Sequence, residues 1–444
     1  MILHRATDPH RDLGTIFLNQ GGPAPTVSGF PFIYSLFPKS VQERFDIVTW
    51  DPRGLGGSNP LTCFSSRAAE DRFLAKTGLP VTNFPLPDSQ INESISGFAR
   101  LDLNCLHHSG RQLLEHMSTA ESARDMEMLR RAFGEPKLDY YGLSYGTVLG
   151  DTYANLFPGR VRRMVLDANV TPMSWFTRRG GSFPGAEGTF LPTFMRQGSD
   201  LGAKKTLNAF LDLCGETTTV RCAFSAGSPA ATRAKFTELL RRVQTEPWPG
   251  GPTYGEVVYE TVAFIYGVEV WSALGGRLEE LWNGHTPPAL PTAEGPHDPF
   301  AGPYGIFCGE SPNPGPNAFR RIEEYAAERS GPAGEYFNWT TLPCADWPVR
   351  AANPYHGPWD KPTANPILVV GTTHDPATPY ENSVTMSHVL ARARLLTVDG
   401  YGHAALPNAP CYLPYLARYL IGGTLPAPGT SCTGEQPFLE PGPK

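Results

Sequence analysis

No stretch of this 444-residue chain is apolar for long enough to cross a bilayer, so no membrane span is expected. There is no basic cluster either. The 37 Lys and Arg against 43 Asp and Glu leave a formal net charge of −6, which argues against a nucleic-acid partner. The eight cysteines contain no Cys-x-x-Cys pair, so zinc or thioredoxin-like chemistry has no anchor here, and no metal or cofactor is expected. His107 and His108, beside Cys105, are too few for a metal site and read as surface or packing residues. Internal repeats are absent, and the first residues lack the charged start and apolar core of an export signal. What is abundant is 45 prolines and 46 glycines in a chain that is still 40% hydrophobic and 11% aromatic, a composition of many ordered loops on a packed core rather than disorder. The length allows one full core plus a second folded region.

Against that background one pentapeptide stands out, Gly142-Leu143-Ser144-Tyr145-Gly146. By composition alone Gly-x-Ser-x-Gly arises in roughly one such chain in five, so the pattern needs context. It has it: the apolar run Leu138–Tyr141 precedes it and the helix-like Thr147–Ala154 follows. Strand, Gly-x-Ser-x-Gly, helix is a nucleophile elbow, in which the glycines permit a turn tight enough to lift the serine hydroxyl clear of the sheet.

A serine hydroxyl is a weak nucleophile at neutral pH, so it requires a histidine base, and the histidine a carboxylate to hold its tautomer. Two later segments supply these. Pro366–Val370 reads as a buried parallel strand and ends near Asp375 in a Pro-rich turn; Ala393–Val398 reads as the next strand and leads into Asp399-Gly400-Tyr401-Gly402-His403. The order Ser144, Asp375, His403, each past the end of a strand, is the order an α/β-hydrolase uses. His374 is the alternative base, but it adjoins Asp375 on one tight turn and neighbours there point apart. Asp399 is the alternative acid, only four residues before His403 on the same loop. For an oxyanion hole, Tyr145 N–H opens the helix after the nucleophile, and Gly21 or Gly22 follows the strand Thr15–Leu18 in Asn19-Gln20-Gly21-Gly22-Pro23.

These residues, with Phe45–Gly54, Arg163–Asp167, Asp375–Tyr380 and Gly423–Cys432, make the chain resemble the secreted tripeptidyl aminopeptidase family of α/β-hydrolases, relatives of the proline iminopeptidases. The resemblance implies a mostly parallel sheet flanked by helices, and a serine exopeptidase acting on peptides with a free amino terminus through Ser144, Asp375 and His403. Related members include esterases, so an ester or lactone substrate is the alternative. Where the family usually has Asn-Pro-Gly-Gly-Pro-Gly, this chain has Gln20 and Ala24, which alters the oxyanion loop. The first one or two strands of the family also look absent, implying a shortened chain or a smaller sheet.

Eight cysteines allow 105 connectivities. The resemblance implies sequential pairing, Cys63 with Cys105, Cys214 with Cys222, Cys308 with Cys344 and Cys411 with Cys432. That suits a secreted or cell-envelope protein; a cytoplasmic enzyme with reduced thiols is the alternative. After Asp167 the strand–helix alternation stops, and residues 171–355 read as a largely helical cap inserted between core segments 1–170 and 356–444. Within it, Val257–Trp271 has helical apolar spacing. An aminopeptidase must hold an ammonium group, so Glu310, Glu260 and Glu269 in the cap are the candidate substrate-binding carboxylates.

Overall fold

A computed structural model describes residues 1–8, 13–77, 79, 84–86, 88–179, 190–288 and 301–438. Among these, eight strands form one sheet: β1 (Ile2–His4), β2 (Thr15–Asn19), β3 (Asp46–Thr49), β4 (Leu138–Leu143), β5 (Val161–Asp167), β6 (Ile367–His374), β7 (Ala393–Tyr401) and β8 (Ser431–Thr433). Their spatial order is β1-β3-β2-β4-β5-β6-β7-β8. Only β1, antiparallel to β3, breaks the parallel arrangement. The α/β-hydrolase fold is therefore present. The three-residue β8 at one edge is too short to carry a sequence signal.

The central strands β2, β3 and β4 are buried at every position, which is why they read as continuous apolar runs rather than alternating ones. Alternation still sorts their side chains. Ile16, Leu18, Tyr141, Val165 and Leu368 face one apolar cluster with Leu416 and Leu420 of the helix Leu413–Gly422. Phe17, Tyr140, Met164, Leu166 and Val369 face the other, against Met126 of the helix Thr119–Ala132 and Leu149 and Tyr153 of the helix Tyr145–Leu156. Ser118 caps the first of these helices by accepting the Glu121 N–H at 3.2 Å.

Between β5 and β6 the chain is helical, including Pro172–Phe176, Thr193–Gln197, Ser199–Glu216, Tyr254–Phe264, Ala301–Glu310 and Pro332–Trp339. The expected helical run Val257–Trp271 is broken. The helix ends at Phe264, and Gly267 is extended before the chain turns again at Val268–Val270. The break matters because it presents Tyr266 to His403. The four disulfides are Cys63–Cys105, Cys214–Cys222, Cys308–Cys344 and Cys411–Cys432, the pairing the resemblance implied.

Candidate active site

The chain leaves β2 for β3 on one side and returns to β4 on the other, so the loops after β2 and β4 diverge and open a crevice at the carboxyl ends of the strands. Register sets Asn19 opposite Gly142, bringing the Gly21-Gly22 loop against the serine turn. Ser144 has φ 56° and ψ −123°, a strained conformation for a residue with a side chain. Its N–H donates to the Asp167 carbonyl at 3.0 Å, and its carbonyl accepts the Thr147 N–H at 2.8 Å. The flanking glycines are sterically required: a Cβ on Gly142 would clash with the Gly146 carbonyl, and one on Gly146 with the Asn19 carbonyl.

On the other side of the crevice, pairing of β6 with β7 in the register His374 opposite Tyr401 carries the two following loops alongside each other. His403 Nδ1 lies 2.9 and 3.1 Å from the two carboxylate oxygens of Asp375. The carboxylate is itself held by the N–H groups of Ala377 (2.9 Å), Thr378 (2.8 Å) and Ala404 (3.1 Å) and by the Thr378 hydroxyl (3.0 Å). With Nδ1–H donating to Asp375, Nε2 is the ring nitrogen left to accept a proton. Burial opposes charging of His403, but the adjacent Asp375 carboxylate outweighs it and the pKa is raised. His374 packs on the Tyr401 ring and sets its Nδ1 3.2 Å from the Thr373 hydroxyl, while Asp399 accepts from that same hydroxyl at 3.0 Å. Neither alternative residue meets the Ser144 side of the crevice.

Ser144 and His403 line one cavity of about 300 Å³, together with Tyr145, Gly22 and the insertion residues Trp175, Gln197 and Tyr266. Of the two candidate oxyanion glycines, Gly21 uses its N–H on the Asn19 side chain at 3.0 Å, whereas Gly22 lines the cavity. Gly21 has a different duty: a Cβ there would strike Ser144 and the Leu143 carbonyl. Tyr145 N–H sits at the first residue of its helix, where unpaired N–H groups favour negative charge.

The three candidate glutamates are dispersed. Glu260 forms an ion pair with Arg277 at 2.8 Å, and Glu269 lines a separate cavity with Arg221 and Glu435, so neither reaches the Ser144 cavity. Their sequence neighbourhood could not reveal this, because Arg277 and Glu435 approach only in the folded chain. Glu310 lies one layer behind the cavity wall. It accepts the Trp175 indole N–H at 2.6 Å, the Thr119 N–H at 2.8 Å and the Thr119 hydroxyl, and burial pushes its pKa up to about 7. The same Thr119 hydroxyl meets the Tyr145 phenol at 2.8 Å. Glu310 thus braces Trp175 and Tyr145, both of which line the cavity.

Tyr266 is a residue the sequence did not single out. Its carbonyl accepts the His403 N–H at 2.7 Å and its ring stands edge-on to the imidazole. Asn408 ties the same junction, donating to the His403 carbonyl at 2.9 Å and accepting the Val268 N–H at 3.1 Å. No spacing rule marks a contact between positions so distant in the chain.

Comparison with known proteins agrees with this architecture. Residues 14–192 match the alpha/beta hydrolase fold family, and residues 330–432 match the TAP-like protein family. The chain is 30% identical to serine protease Hip1 of Mycobacterium tuberculosis strain H37Rv over 95% of its own length and 81% of that protein's. It is 28% identical to tripeptidyl aminopeptidase of Streptomyces lividans, covering 94% of this chain and 76% of the relative. Carboxylesterase B of M. tuberculosis H37Rv is 27% identical, covering 94% and 80%. A parallel sheet with a strained serine elbow, and similarity to such relatives along nearly the whole chain, establish that this chain belongs to the TAP-like family of α/β-hydrolases and is a serine hydrolase.

Proposed function

We propose that the protein is an aminopeptidase that removes short peptides from a free amino terminus through an acyl-enzyme on Ser144. The observation that carries this reading is that Ser144, raised on its elbow, shares a cavity with His403, whose imidazole is hydrogen-bonded to Asp375. In the proposed cycle Ser144 Oγ attacks the scissile carbonyl while His403 Nε2 takes its proton. Tyr145 and Gly22 N–H groups hold the oxyanion. The His403 imidazolium then protonates the leaving amine, and a water activated by the same base releases the acyl group.

Residues 171–355 act in this reading as the cap that closes the site. A cavity of about 300 Å³, walled by Trp175, Tyr266 and Tyr336, is at the small end for ligand sites and suits a short acyl segment rather than a threaded polypeptide. Glu310 is the one candidate carboxylate near it, held behind Trp175, and it would attract an ammonium group in the cavity only when ionised, above about pH 7. The four disulfides favour an oxidising compartment, secreted or at the cell envelope. The aromatic lining and the carboxylesterase relative favour ester hydrolysis as a second reading.

Free-amine tripeptide anilides, their N-acylated versions and aryl esters separate these. Cleavage of the anilides that is lost on N-acylation supports the aminopeptidase; turnover of esters alone supports the second reading. Ser144→Ala should lower turnover by several orders of magnitude without changing the circular dichroism spectrum. Near-native activity in that variant would refute the nucleophile assignment.

A further inference from the structure

The polar side chains around the cavity are not equivalent. Ser199 donates to the Ala377 carbonyl at 2.6 Å, Thr340 to the Tyr336 carbonyl at 2.7 Å, Thr378 to Asp375 at 3.0 Å and Gln20 to the Pro25 carbonyl at 3.3 Å. Gln197 differs. It lines the same cavity and is only 4% exposed, yet its Nε2 is buried with no hydrogen-bond partner among the described residues.

Its backbone, in contrast, is fixed. Gln197 ends the helix Thr193–Gln197, where Gly198 takes the left-handed conformation at φ 79°, and its carbonyl accepts the Asn382 amide at 3.0 Å. The preceding Arg196 is buried and donates to the carbonyls of Ser174 at 3.2 Å and Leu191 at 2.6 Å. A rigid mount carrying an unpaired buried N–H donor is unfavourable unless something in the cavity completes it.

We propose that Gln197 is a specificity-determining residue that donates its Nε2–H to a backbone carbonyl in the acyl portion of a peptide substrate. A peptide acyl group carries such a carbonyl on each residue beyond the scissile bond; a simple alkanoyl ester carries none. Gln197 thereby selects peptides over esters at the same Ser144. This rests on the aminopeptidase reading and assigns the residue that gives it its preference.

The test compares a free-amine tripeptide p-nitroanilide with p-nitrophenyl butanoate in the wild type, Gln197→Met, which keeps the side-chain length, and Gln197→Glu, which removes the donor. The anilide leaving group has no carbonyl, so any effect on it reports the acyl side. Both variants should lower kcat/KM for the tripeptide about tenfold to a hundredfold more than for the ester. Ester turnover reports folding. Equal losses on both substrates, or no loss on the tripeptide while the wild type cleaves it, would overturn the role of Gln197 and leave the aminopeptidase reading standing. A wild type that hydrolyses only the ester would overturn both.

Discussion

In the proposed mechanism the residue whose state controls the chemistry is His403. It must be neutral to accept the Ser144 proton, and the Asp375 carboxylate stabilises its charged form against the opposing effect of burial, so its pKa is raised above the ordinary value of about 6.5. The acid limb of kcat/KM is therefore expected above that value, with activity falling as pH drops through it. Asp375→Asn should lower kcat by about 10⁴-fold. A limb centred below pH 6 in the wild type would contradict the pairing. Ser144, Asp375 and His403 could be picked out of the sequence because each lies just past a strand-like run, where the fold leaves side chains at the carboxyl edge of the sheet. Glu260 and Glu269 were picked by composition and location alone, with no backbone constraint to aim them; Arg277 took the first and a separate cavity the second.

At the scale of elements, the helical segment between β5 and β6 and the loop carrying His403 are tied together. His403 N–H to Tyr266, and Asn408 to His403 and Val268, make one hydrogen-bonded junction between the broken helix after Phe264 and the short helix Ala405–Asn408. Asn408→Ala strips partners from the His403 and Ala404 carbonyls and from the Val268 N–H. It is expected to reduce kcat about tenfold, with a smaller change in KM, since it loosens the base rather than the cavity. Steady-state kinetics on the tripeptide anilide check this; unchanged kcat with the substitution in place would count against it. The helix break was invisible in sequence because the apolar spacing runs straight across Gly267.

For the molecule as a whole, Asp102 is a liability in the packing among Phe98, Leu342 and Asp346. Its carboxylate is buried with neither oxygen hydrogen-bonded among the described residues, and burial, helped by Asp346, pushes its pKa up to about 8. In the unfolded chain the group titrates near 4. The native state therefore holds an extra proton between these values, and the associated stability is complete below about pH 4 and lost as pH rises through about 8. Asp102→Asn removes that loss, so its melting temperature should equal that of the wild type near pH 4 and exceed it by about 2 °C or more at pH 9. Parallel melting curves across that range test it.

By itself, the sequence determined the parallel sheet, the strained serine turn and the order of the three candidate catalytic residues. Each of these depends on neighbours within a few positions: a β-branched run, two glycines that must lack side chains, a loop that begins where a strand stops. Tertiary structure decided what fills the space above them. Which glycine faces the cavity, which glutamate stands behind its wall, and that Tyr266 and Gln197 meet the site at all depend on contacts between segments far apart in the chain. Such contacts are set by how the inserted helices pack over the sheet, and packing leaves no local pattern to read.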